Sequence, residues 1–367
     1  MRRRRWFLAL IASLLLATVA VRADDRDAAP DEAGLLGPLR IRDMTPFNLL
    51  RLDMLPAHAV DAGRGSWAIE ANLSFSNTFV MSENVRSYLG SRGGSAPLSA
   101  DDVAAIEGMG EDAFYLDGEF ALLETIFHYR LLRRTSIYLT VSAYDFTGGF
   151  MDGTIEGFHN TLGLDNAGRE LVPRGQFQTV MALGGSQYAA LDAPVDFGLG
   201  DPVIGMRQAF PLGASRWQLV LSGEIKVAWR GERPTLSTGT NDYGLQVALQ
   251  GKFGHRAIYF NTSLVSTDGQ VFGIPLERRV FPTVTMAYET ALTPTVNFVG
   301  QMSVSPSTVQ DSTIDLITAD KYQASLGLRS RHGRLIYGFA VTENIKNFDN
   351  TPDIGMTASL AWVALKP

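Results

Sequence analysis

The chain has 367 residues, with 32 Lys and Arg against 38 Asp and Glu, a net charge of −6 and no Cys. The missing Cys excludes disulfides and lipoprotein processing. The acidic balance argues against nucleic acid, which needs a basic footprint.

In chain order, Arg2 to Arg5 form a positive start, Phe7 to Ala20 an apolar run, and Val21-Arg22-Ala23 a small-residue cleavage site before Asp24. This is the layout of a secretory signal peptide, predicted to be cleaved after Ala23, and its apolar run is shorter than the roughly 20 residues of a spanning helix. Losing its five Arg leaves 27 basic residues against 38 acids, a mature charge of about −11. No later stretch holds 18 continuous apolar residues, so a mature chain that spans a membrane must do so as a closed barrel. An exported chain without Cys suits the Gram-negative periplasm and outer membrane. Residues 24–34 are rich in Asp and Ala and are expected to be disordered. Pro38, Pro46 and Pro56 interrupt any long element after them. The stretch 24–65 is read as an N-terminal periplasmic segment, of which 37–60 tucks against the periplasmic side of the barrel.

From Ser66 onward the pattern has period two. Trp67, Ile69, Ala71, Leu73 and Phe75 alternate with Ala68, Glu70, Asn72, Ser74 and Ser76. The same alternation returns at 136–145, 217–229, 243–253, 321–329 and 353–362, which puts one face in an apolar medium and the other in a polar one. Trp67, Phe79, Trp217, Trp229, Phe253 and Trp362 fall at strand ends, as in the aromatic girdles of outer-membrane barrels. Connection lengths support the same reading. Taking the last strand downward, the connections at 331–333, 292–294, 254–255, 211–216 and 133–134 are short and inner. Those at 345–352, 305–319, 266–280, 230–241 and 81–113 are long and outer. Residues 146–200 are read as one outer excursion that folds over the mouth as a lid. The predicted fold is therefore all-β, an antiparallel transmembrane barrel over 66–367 with twelve strands, or fourteen if the excursion supplies a hairpin.

The motif string Arg42-Asp43-Met44-Thr45-Pro46-Phe47, Trp67, Asn77-Thr78-Phe79, Leu116-Asp117-Gly118-Glu119, Gly148-Gly149-Phe150-Met151-Asp152, Ile155-Glu156-Gly157-Phe158-His159, Gly163-Leu164 and Arg169 carries a likeness. It resembles the domain-of-unknown-function 3187 family of proteobacterial envelope proteins. The resemblance implies membership and brings no mechanism. Gly198-Leu199-Gly200-Asp201-Pro202 is a looser likeness to the strand start in barrels linked to uptake of hydrophobic aromatic compounds.

Strand parity predicts a lumen face carrying Glu70, Glu124, His128, Arg130, Arg207, Glu224, Lys226, Lys252, Glu289, Lys321 and Arg329. A selective pore usually shows one sign of charge. This mixture reads first as ion pairs filling a narrow interior and second as a solute path. Asp117 and Glu119 fall on the lipid-facing parity, so they either lie above the membrane or follow a bulge near Leu122-Leu123. The lid motif is Phe150, Asp152, Glu156, Phe158, His159 and Arg169. Within it, Asp152, Glu156 and His159 at i, i+4 and i+7 would share a helix face and could hold a divalent metal. An amphipathic helix packed on the barrel mouth is the plainer reading, and Phe150, Ile155, Phe158 and Leu162 need a surface to pack on. None of the five His precedes Ser and Asn in the pattern of outer-membrane lipases, and no catalytic set stands out. The expected function is a small gated channel or uptake barrel for a small, hydrophobic solute. A structural or adhesive envelope protein is the alternative, and a rim-sited hydrolase ranks last. Expected partners are outer-membrane lipid, lipopolysaccharide, the barrel-assembly machinery and a small solute, with no nucleic acid and no cofactor.

Overall fold

The computed structural model describes residues 34–60, 63–163, 165–213, 216–346 and 354–364. The expected signal peptide lies outside them. Twelve strands close into one antiparallel barrel. They are β1 Trp67–Met81, β2 Ala113–Leu132, β3 Thr135–Thr147, β4 Val203–Pro211, β5 Trp217–Lys226 and β6 Asp242–Phe253, followed by β7 Arg256–Ser266, β8 Val280–Ala291, β9 Val296–Ser305, β10 Lys321–His332, β11 Leu335–Lys346 and β12 Ile354–Ala364. Each pairs with the next along the chain, and β12 returns to β1 with Trp67 opposite Ala364. Closure leaves no strand edge unpaired. The twelve-strand reading holds and the fourteen-strand alternative does not. The extra hairpin of the excursion, Gln178–Leu183 with Ser186–Ala190, pairs with the top of β2 at Ala113–Asp117, past the point where β3 has left it.

The period-two pattern sorts residues onto two faces. Ile204, Leu245, Leu264, Met286, Met302 and Leu326 are each more than half exposed on the outside. Gln246, Ser263, Thr285, Gln301 and Ser325 are buried inside. A continuous apolar band of this kind is costly in water. Among the described residues no helix is long and apolar enough to cross a membrane. Trp67 packs on Trp362 at 4.6 Å and Trp217 on Phe253 at 5.7 Å near the short turns, while Trp229 is exposed near the long loops. Phe79 does not belong to this girdle. It is buried against Tyr115, beneath the long-loop cap.

The long loops fold on one another. The first forms α1 (Glu83–Ser91) and α2 (Ala100–Glu107), whose Val85, Leu89 and Ile106 cover the outward face of β1 and β2 at Phe79 and Tyr115. Ser99 and Asp102 make a capping box at α2, and Asp102 also accepts from Tyr88 and Arg92. Burial alone would raise the Asp102 carboxyl, but these hydrogen bonds outweigh it and lower it to about 2. Gln178 ties this loop to the excursion through Leu98 N and O, and Asp112 ties it to the loop before β10 through Ser312 and Thr313.

The excursion begins with α3 (Asp152–Leu162) and is fixed to the barrel wall by a buried polar cluster. Arg169 donates to Asp152 Oδ1 at 2.9 Å and to Asn77 Oδ1 at 2.7 Å. Asn77 donates in turn to Asp152 and to Glu119, and Glu119 accepts the backbone N–H of Phe150 and Met151. Asp117 and Glu119 thus stand on the outward face above the apolar band, covered by the cap. β2 pairs with β1 in unbroken register past Leu122-Leu123, so no bulge resets the face. Gly149 makes the approach possible. It has a φ of +72°, and a Cβ there would sit 1.8 Å from the Glu119 carboxyl carbon.

Two substitutions test this anchor. Arg169→Ala leaves the buried Asp152 carboxylate without its counter-ion, a loss of about 3–5 kcal/mol in docking the excursion. Subtilisin is expected to nick residues 150–176 in Arg169→Ala and in Gly149→Ala while the barrel stays resistant. Unchanged resistance of that segment would contradict the anchor.

Candidate functional site

Residues 34–60 do not lie under the barrel. They run up its lumen and back as a hairpin, which corrects the periplasmic placement expected from the sequence. Leu36 and Gly37 sit at the short-turn end, where Glu289 accepts both backbone N–H groups. The tip at Thr45–Leu50 reaches the long-loop end, and Lys226 donates to Leu50 O at 2.9 Å. The chain then descends past Gln246, Asn261 and Gln250, which bond the backbone of Met54 and Leu55, Ala57 and Ala59.

Such a path follows from the sequence locally. Pro46 opens a 3-10 turn, Pro46–Asn48, and Asp43 accepts from Thr45 N and Asn48 Nδ2 to fix the bend. No strand is assigned to either limb, so no ladder joins them. Arginines take over that task. Arg42 donates to Leu49 O and Arg51 O across the hairpin, and Arg40 donates to Pro56 O. Asp53 accepts the Asp43 N–H from the other limb; other groups must find partners on the wall, because a buried backbone N–H or C=O without a partner is costly.

The wall supplies them with the residues that parity placed inside. Glu124 pairs with Arg42 at 2.7 Å, Lys321 with Asp43 at 2.6 Å and Glu70 with Arg40 at 3.3 Å. Arg329 donates to the carbonyls of Leu36, Gly37 and Pro38. Lys226 pairs with Asp242 at 2.9 Å, while Asp242 accepts from Leu52 N. Glu224 accepts from Tyr138, and Glu289 also accepts from Tyr259. The mixed charge therefore does not pair chiefly across an empty interior. It pairs with a segment of the same chain that sequence reasoning left outside. His128, Arg130, Arg207 and Lys252 gather lower down, around a cavity of about 600 Å³ below the hairpin.

The long-loop end is closed differently. Met44, Leu49 and Leu50 of the hairpin tip meet Phe114, Phe120 and Phe146 of the wall. Phe177, Met181 and Leu183 of the excursion and Phe272 and Ile274 of the loop after β7 complete this apolar seal. Gly200 and Asp201 lead into β4 beneath it, with Asp201 accepting from Ser237. The lid motif itself serves as anchor. Phe150 is 70% exposed and packs on nothing substantial, against expectation, whereas Ile155 is buried. Phe158 and His159 lie within α3. Asp152, Glu156 and His159 do not assemble a metal site. Asp152 is engaged by Arg169 and Gly175 N, Glu156 pairs with Arg174 at 2.5 Å, and no metal-holding group occurs among the described residues.

A closed twelve-stranded antiparallel barrel with a polar, occupied lumen and an apolar outside is the class that these features define. The chain belongs to the family described as "Protein of unknown function (DUF3187)", whose model matches residues 98–363. No curated protein matches it in sequence. Among solved structures it is similar to an outer membrane channel from Pseudomonas putida F1, at 9% identity and a TM-score of 0.49 over 85% of this chain and 100% of that one. It is also similar to the toluene transporter TbuX of Ralstonia pickettii, at 10% identity and a TM-score of 0.40 over 89% of this chain and 99% of that one. A Pseudomonas aeruginosa FadL homologue gives 9% identity and a TM-score of 0.36, covering 89% of this chain and 99% of that one.

The hairpin's charged ties give a direct test. Asp43→Ala leaves Lys321 and Arg51 buried without their carboxylate, at a cost of about 3–5 kcal/mol. The released population of the hairpin is then expected to rise on the order of a thousandfold, so that trypsin cuts at Arg40, Arg42 or Arg51 in the variant and not in the wild type. Equal resistance of the two proteins would contradict the role of this pair.

Proposed function

We infer that the protein is an outer-membrane channel or uptake barrel for a small solute, held closed by its own N-terminal hairpin. The observation that carries this reading is how the hairpin is held. Besides apolar contacts of Leu39, Leu52, Met54 and Leu55 with wall residues such as Tyr259, Phe281 and Tyr138, its charged side chains and backbone are held by ion pairs and hydrogen bonds, which water can replace at modest net cost, since a buried ion pair gains little over its solvated parts. A permanent filling would be better served by apolar packing alone, without the charged ties. The exported character of the sequence and the apolar outer band support the location. The cavity below the hairpin supplies a vestibule of the size that small ligands use, about 300–1,000 Å³.

A second reading is a non-transporting envelope protein with structural or adhesive work. The apolar seal at the long-loop end favours it, because parting Phe114, Phe146, Phe177 and Phe272 exposes apolar surface at about 25 cal/mol per Å².

Conductance separates the two. In planar bilayers the intact mature protein is expected to conduct little. A variant in which residues 36–59 are replaced by a short Gly-Ser linker is expected to give steady openings. Both forms should fractionate with the outer membrane and migrate faster unheated than boiled, as closed barrels do. If the hairpin-free barrel folds by that criterion and still passes no current, the structural reading stands in place of the channel.

A further inference from the structure

The cavity below the hairpin is lopsided in charge. Its wall carries Arg130, Arg134, Arg207, Lys252, Arg329 and Arg331, and the hairpin adds Arg40. Glu70 is the one carboxylate that faces them among the described lining residues. It is already engaged by Arg40 at 3.3 Å and by His128 at 3.5 Å. Arg329 is committed to the carbonyls of the hairpin, and Arg331 donates to Gly333 O. Arg134, Arg207 and Lys252 have no carboxylate within ion-pair distance among the described residues, although Glu224 and Glu70 act on Arg207 from farther off. The Arg207 guanidinium lies over the Tyr138 ring at 5.4 Å and reaches the Ser222 hydroxyl at 3.4 Å.

Cations in a low-dielectric cleft focus negative potential there, and a guanidinium fork matches a carboxylate. The cavity is not polar throughout. Leu35 and Val60 of the hairpin and Ile336 and Val363 of the wall line it as well. A bare inorganic anion would satisfy the cations and leave this apolar surface wet. A neutral hydrocarbon would cover the apolar surface and leave the cations uncompensated.

We propose that the vestibule binds a small organic carboxylate, with its anionic head among Arg134, Arg207 and Lys252 and its apolar body against Leu35, Val60, Ile336 and Val363. This names the solute class for the channel read above. Transport of such a solute rests on that reading, but its binding does not.

Calorimetric titration of the detergent-solubilised mature protein tests it with three probes of graded chemistry, namely benzoate, the neutral benzyl alcohol and inorganic phosphate. Benzoate is expected to bind about tenfold or more tighter than either of the others, as one charge-assisted hydrogen-bond set against an apolar anchor allows. The preference should shrink as salt rises. Lys252→Gln with Arg134→Gln is expected to reduce it, and adding Arg207→Gln to abolish it, in proteins that still shift on heating. Because the wild-type comparison needs no variant, it decides even if the triple substitution fails to fold. Benzyl alcohol binding as tightly as benzoate, phosphate matching benzoate, or a folded triple variant with undiminished preference would each overturn the proposal. If the hairpin-free barrel conducts and benzoate does not bind, this proposal falls and the channel stands. If benzoate binds and that barrel does not conduct, the channel falls and the site stands.

Discussion

A peptide segment buried without a ladder of its own must find a partner for nearly every N–H and C=O, and this demand organises the molecule. Residues 34–60 bring three prolines and no strand into the middle of the barrel. The wall answers with side chains long enough to reach them. Glu289 accepts N–H groups, Arg329, Lys226 and Gln246 donate to carbonyls, and Gln250 and Asn261 each accept one N–H. The inward face of the barrel is polar and mixed in charge because its tenant is a backbone, which offers donors and acceptors alike.

The same demand explains why the two ends of the lumen differ. At the long-loop end the hairpin turns and presents Met44, Leu49 and Leu50, so the surrounding loops close over it with aromatic and aliphatic side chains. At the short-turn end the backbone is served by Glu289, Arg329 and Arg130, and a cavity remains beside the two limbs. The seal above resists opening through buried apolar area. Along the lumen, apolar contacts of Leu39, Leu52, Met54 and Leu55 accompany polar ties that can each be exchanged for water.

Much of this architecture was legible in the sequence. Alternation over 217–229 or 243–253 fixes which residues face inward, and the contrast of short and long connections orders the strands. That is why all eleven inward candidates, Glu70 through Arg329, lie on the lumen face. What alternation cannot convey is the partner of an inward residue. Glu124 and Lys321 have the parity of a pore lining whether they face water, one another or Arg42 and Asp43. The hairpin was missed because it has no periodicity: its prolines and mixed composition read as a linker. One signal was available. Arg40, Arg42, Asp43, Arg51 and Asp53 fall within the fourteen residues 40–53, an unusual density of charge for a segment that also holds Leu36, Leu39, Leu49, Leu50 and Leu52. Asp152, Glu156 and His159 failed as a metal face for a related reason. Helical spacing aligns the side chains, but Asn77 and Arg169, far away in sequence, capture the first of them.

The central claim is that residues 34–60 are an integral part of the closed barrel. Hydrogen exchange of the mature protein measures this most directly, peptide by peptide. The amides of Leu36, Gly37, Leu52, Ala57 and Ala59, each bonded to a wall side chain, are expected to be protected to nearly the same degree as those of β6 and β7. Exchange of this segment at the rate of an unstructured peptide, with the strands still protected, would contradict it.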